Sequence, residues 1–210
     1  MNETLAIFLQ AYNFRKNKFF EDLASGEMNL DQFIETQEQF YYAITGFSVP
    51  LALVTAEVPE YEDRMKILKH MGETPGATFT ELLKRLSGKA VITISPAQDE
   101  VLLFNSTLND ICRNHHYLKG IAALGIIERM FADISAFIGV TIVERGWLPK
   151  ERIIHYTVQQ KLDTVHAEDI FSILRPQYEN HRETIDEGLM LGAITFLKLF
   201  QQLGEKVKRS

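Results

Sequence analysis

Six prolines, Pro50, Pro59, Pro75, Pro96, Pro149 and Pro176, divide the chain into stretches where apolar residues recur three and four positions apart. That spacing is the period of a helix with one apolar face, and proline marks where such a helix starts, stops or bends. The pattern predicts a first helix over about 5–23, ended by Ser25-Gly26, and a second opened by Asn29 and Gln32 at capping-box spacing. The second runs to about 56, with a bend near 46–50 where Pro50 removes a backbone donor. Short helices follow over about 59–72 and 75–86, the latter closed by Gly88. Ser95-Pro96-Ala97-Gln98 repeats the capping signal and opens a fifth helix to about 117, and three longer ones cover about 119–143, 149–174 and 176–207. Ala90-Val-Ile-Thr-Ile94 has local strand character but no second segment to pair with.

The expectation is an all-α chain, a single helical bundle of seven or eight helices over 1–210. No repeat, charge block or long Gly/Ser linker divides it. On the last helix Ile185, Leu189, Ile194, Leu197, Phe200 and Leu203 are expected to face inward, while Gly188 and Gly192 share a face and point to close helix packing, with room for a ligand as the alternative. Trp147 is expected to anchor the corner between two helices. The fourteen phenylalanines and seven tyrosines supply core filler, with Tyr41, Tyr42, Tyr156 and Phe196 as candidates for a pocket lining.

Charge narrows the partners. Lys and Arg total 22 against 28 Asp and Glu, a formal charge of −6, which argues against a nucleic-acid partner. No run of ~18 apolar residues would span a bilayer, so no membrane partner is expected. No basic segment followed by an apolar run stands at the N-terminus, so a cytoplasmic protein is the expectation. Cys112 is the only cysteine, which rules out an intrachain disulfide and a cysteine-based zinc cluster. With no base evident beside it, Cys112 reads as a small buried hydrophobe.

The chemistry concentrates on the seventh helix. His155, Gln159, Asp163 and His166 are spaced four, four and three apart, and at ~100° per residue they occupy one narrow stripe. A carboxylate and an imidazole three apart, as in Asp163-Thr-Val-His166, can reach one cation together, as in metal sites built inside helix bundles. Glu128 ends the apolar run Ile121-Ala-Ala-Leu-Gly-Ile-Ile127 and, if buried with it, needs a partner or a proton.

Several segments carry a resemblance. Phe19-Phe-Glu-Asp-Leu-Ala-Ser-Gly-Glu-Met-Asn-Leu-Asp-Gln-Phe33, Ala122-Ala-Leu-Gly-Ile-Ile-Glu128, Gln159-x3-Asp163-x2-His166-Ala167 and Ile185-Asp-Glu-Gly188 resemble the haem-oxygenase-like superfamily. The resemblance is to the branch of thiaminase II (TenA), pyrroloquinoline-quinone synthase and the iron-containing redox enzymes related to the chlamydial death-domain-associating protein. It implies a helical bundle with a central cavity that holds a small organic molecule, and it suggests a homodimer. In di-iron members six residues hold two irons. The resemblance puts Glu128, Asp163 and His166 at three of those positions, with Lys69, Gly76 and Gln159 at the others; a shift in the alignment of this loop would bring His70 or Glu73 nearer the site.

Lysine and glycine do not replace a metal ligand, so a full dinuclear site is not expected. A Lys69 ammonium at its aligned position would neutralise Glu128 and Asp163 in place of a metal. Two outcomes stay open. Glu128, Asp163 and His166, with His155, Gln159, Lys69, Tyr41 and Tyr42 around them, hold one iron or manganese in a metal-dependent oxidoreductase; or the protein is a metal-free binding or interaction member of the same fold. Haem is not expected, because the first histidine is His70 whereas haem oxygenase carries its haem ligand on the first helix. The thiaminase nucleophile would fall at Gly125-Ile126, where there is no cysteine.

Overall fold

Side-chain caps and left-handed glycines set the helix boundaries in the computed structural model, which describes residues 1–71 and 75–208. The first expected helix is two: α1 (Asn2–Ala11) and α2 (Lys18–Ser25), joined through a 3-10 turn at Phe14–Lys16. The break arises because Asn13 and Asn17 turn their side chains back onto the amides of Arg15 and Phe19, the local bonding by which Asn competes with a continuous helix. Gly26 (φ 91°) stops α2 in the left-handed conformation, and Asn29 with Gln32 forms the expected reciprocal capping box of α3 (Leu30–Gly46).

The expected bend near Pro50 is a break at Phe47, after which α4 (Ser48–Glu57) begins with Pro50 in its first turn. A proline there leaves no helical bond unmade. Then come α5 (Tyr61–Met71) and α6 (Pro75–Ser87), with Gly88 at φ 67° beyond it. The 90–94 stretch forms no strand, and Val91 stays 77% exposed. Ser95 does not cap α7 (Asp99–Asn114): Gln98 stands at the N-cap, and the Ser95 carbonyl accepts from the Tyr42 hydroxyl at 3.0 Å. Counting α1–α2 and α3–α4 each as one broken helix, the described segments reproduce the eight expected from sequence.

The centre is α8 (Tyr117–Glu144), packed between α9 (Ile154–Leu174) and α10 (Tyr178–Val207). Small residues bring the three together. A Cβ at Gly125 would stand 2.6 Å from Cγ2 of Ile170 on α9, and Cβ atoms at Gly188 and Gly192 would collide with the Lys119 and Ala123 carbonyls of α8. The two α10 glycines are thus packing residues; they sacrifice ~1 kcal/mol of helix propensity each and gain close backbone approach. Ile194 is not inward but 43% exposed, because nine residues past Ile185 is half a turn around the helix; Phe196 and Leu199 are buried instead. Trp147 packs at a tilt against Phe33, ring centroids 5.3 Å apart, under the Arg145 guanidinium, which also donates to the Leu23 and Met28 carbonyls and ties the end of α8 to the α2–α3 turn. No described helix is long and apolar enough to cross a membrane.

Candidate functional site

Because Gly125 lets α9 approach α8, the polar stripe of α9 meets the one acid that ends the apolar run of α8. Glu128, Asp163 and His166 are all buried, and one donor atom from each lies within 4.8 Å of the others. His166 Nδ1 stands 3.6 Å from Glu128 Oε2. Neighbouring turns of two helices therefore bring two carboxylates and an imidazole to one point inside the protein.

These groups close a cavity of about 480 Å³ walled by α3, α4, α6, α8 and α9. Tyr41, Thr45, Ser48, Thr78 and Thr80 supply its polar rim, and Gly76 lines it where a side chain would meet Thr45 and Tyr41. Thr45 and Thr80 donate their hydroxyl hydrogens to carbonyls one turn back, so their lone pairs remain for a ligand. Deeper in, a small annex of about 80 Å³ is walled by Phe40, Phe47, Phe104, Phe131 and Phe196. Glu128, Gln159 and Asp163 line both spaces and form the seam between them. No lysine or arginine is among the described residues lining either space.

The other sequence candidates separate. Tyr41 lines the cavity, but Tyr42 is one residue on, about 100° around α3, and bonds to Ser95 instead. Lys69 is not at the acids. It is 62% exposed and faces Asp169 at 3.8 Å on the outer side of α9, so it does not neutralise Glu128 or Asp163. The side chain of His70 and all of Glu73 lie outside the described residues. His155 is buried behind the cavity wall, where its Nδ1 shares a 3.0 Å hydrogen bond with Thr78, and burial pushes its pKa down to about 3, leaving a neutral ring. Tyr156 is core: its hydroxyl donates to Gln37 Oε1 at 2.7 Å, and burial raises its pKa.

Cys112 is buried, and desolvation pushes its thiol up to about 12, far from a nucleophile's range. Sequence reasoning missed Thr45, Ser48, Thr78 and Thr80, since a hydroxyl on a helix carries no pattern that separates a cavity wall from a solvated face.

The backbone resembles solved structures at low sequence identity. A TenA homologue protein from P. horikoshii OT3 matches with a TM-score of 0.68 and 15% identity, over 96% of this chain and 98% of that one. A TenA family transcription regulator from Silicibacter sp. TM1040 matches with a TM-score of 0.68 and 14% identity, over 96% of each chain. The fold is haem-oxygenase-like. At such identity the likeness establishes the fold alone. No protein-family model matches the sequence, and no curated protein does. Within the haem-oxygenase-like fold this chain's own buried residues must carry the functional argument.

Proposed function

We propose that the protein binds a small organic molecule in the cavity above Glu128, Asp163 and His166, and that these three residues hold one divalent metal, iron or manganese, for redox chemistry on that molecule. The observation that carries the reading is the buried convergence of two carboxylates and an imidazole, with no lysine or arginine among the described lining residues. Within the trio two acids stand against a single base. Buried charge of that kind requires a cation or protons.

The donor set fits a metal in chemistry and nearly in spacing. Carboxylate oxygens and imidazole nitrogen suit iron and manganese. Three donors each ~2.1 Å from one ion stand at most ~3.6 Å apart when evenly spread, so a group spread within 4.8 Å has to close by up to about 1.2 Å, which side-chain rotation can supply. Such a metal would supply a Lewis-acidic, redox-active centre with coordination positions left for a ligand.

The chain's own residues do the rest. Gln159 at the seam offers both an amide donor and an acceptor to a ligand's polar end. The five phenylalanines of the annex exclude water from its apolar end. Gly76 and Gln159 stand where the resemblance puts two further ligands, and among the described residues only Glu128, Asp163 and His166 converge as metal donors, so one ion is the expected load.

The 3.6 Å ion-pair approach of His166 to Glu128 favours a second reading, in which two protons, one of them on the imidazole, replace the metal and the cavity only binds. Manganese(II) titration followed by electron paramagnetic resonance of the free ion separates the two. One site per chain, weakened at least tenfold in Asp163→Asn, supports the metal reading. No saturable site leaves the metal-free reading, and two sites overturn both.

A further inference from the structure

On the far side of Thr78 from the main cavity lies a second pocket, of about 240 Å³, between α6 and the start of α9. Thr78 belongs to the lining of both, but Glu128, Asp163 and His166 do not touch this one. Its wall is positive. Arg85 and Arg152 line it, and the Arg152 side chain is exposed and pairs with no carboxylate among the described residues. Glu81 accepts from Arg85 Nε at 2.9 Å, which offsets one of the two charges, while Arg85 Nη1 donates to the Arg152 carbonyl and holds the two segments together.

Two further features make this more than a basic patch. The 21-residue helix α9 starts here with Ile153 at its N-cap, a residue whose side chain cannot accept a hydrogen bond, so its first amides receive no side-chain cap. A helix start presents backbone N–H groups and the positive end of the dipole. Inside the same lining sits His155, 1% exposed, with Nδ1 bonded to Thr78 and Nε2 without a hydrogen-bond partner. A buried ring nitrogen is rarely left unmatched.

We propose that this pocket binds a phosphate-type oxyanion, either inorganic phosphate or the phosphoryl end of a small ester. Arg152 and the remaining N–H groups of Arg85 hold its charge, the start of α9 supplies backbone donors, and His155 donates from Nε2 while Nδ1 accepts the Thr78 hydroxyl. Tetrahedral oxyanions suit this set because planar guanidinium groups and helix N-termini both favour phosphate oxygens.

Calorimetric titration of the full chain with inorganic phosphate, glycerol phosphate and acetate at constant ionic strength tests it. Saturable binding of one phosphate per chain is expected, at least tenfold weaker in Arg152→Gln, whose exposed position leaves folding intact, and weaker again in the Arg152→Gln/His155→Gln double variant. Tighter binding of glycerol phosphate than of inorganic phosphate identifies the ester as the ligand, and the reverse order identifies the free ion. Absence of saturable binding by both, equal binding of acetate, or unchanged affinity in Arg152→Gln overturns the proposal. Asp163→Asn is expected to leave phosphate affinity unchanged, and a loss there would overturn the assignment to this pocket.

Discussion

Replacing Gly192 by alanine tests whether the α8–α10 contact holds the fold's centre together. An added Cβ would meet the carbonyl oxygen and Cα of Ala123, both backbone atoms that no rotamer change can move aside. Alanine regains ~1 kcal/mol of helix propensity. Forcing a methyl group into a packed contact costs ~1–3 kcal/mol, and a backbone obstacle puts this site at the upper end. The net expectation is a loss of ~2 kcal/mol, which for a chain of this size lowers Tm by ~4–8 °C.

Gly76→Ala is the matched control. Its Cβ would lie 3.5 Å from Thr45 Cγ2 and 3.9 Å from Tyr41 Cε2, ordinary contact distances, so it is expected to keep or slightly raise Tm. Thermal unfolding followed by circular dichroism at 222 nm reads both variants. A Gly192→Ala protein as stable as the parent would refute the argument that backbone approach, and not chance, placed that glycine.

Three other outcomes are expected. Tyr156→Phe leaves Gln37 Oε1 buried without its donor and should lower stability by ~1–3 kcal/mol in urea unfolding; a change within error would mean the oxygen finds another partner. His155 has a folded pKa of about 3, below its unfolded value near 6.5, so its contribution is complete above ~pH 6.5 and declines as pH falls toward the folded value. Unfolding of the parent relative to His155→Gln should therefore lose ~1.4 kcal/mol per pH unit below ~pH 6.5, and parallel pH profiles would contradict a buried neutral ring. Cys112, with its thiol raised by burial, should react with a thiol reagent only on unfolding, and fast labelling of the native protein would show that α7 opens locally.

Much of the architecture was legible because local and global signals agree. Gly26, Gly88 and the Asn29–Gln32 box mark helix ends by backbone chemistry that needs no tertiary partner. The α9 stripe was legible for the same reason, since helical phase alone aligns Gln159, Asp163 and His166. The misreadings share a different cause. Ile194 was assigned by hydrophobicity against its phase. Ser95 had the right chemistry for a cap, but α7 begins four residues further on at Asp99, with Gln98 at the N-cap. Lys69 was placed by resemblance in the segment leading to the α5–α6 turn, where spacing gives no register, and the structure turns it toward Asp169. The Arg85–Arg152–His155 pocket had no sequence signal, because its residues come from two segments about 67 positions apart that meet only after packing.

Native mass spectrometry after anaerobic iron(II) loading and desalting tests the central claim most directly, since it counts ions on intact chains. The buried Glu128, Asp163 and His166 predict a single added iron that disappears in His166→Ala. Two irons per chain, or one that survives that substitution, would contradict the account.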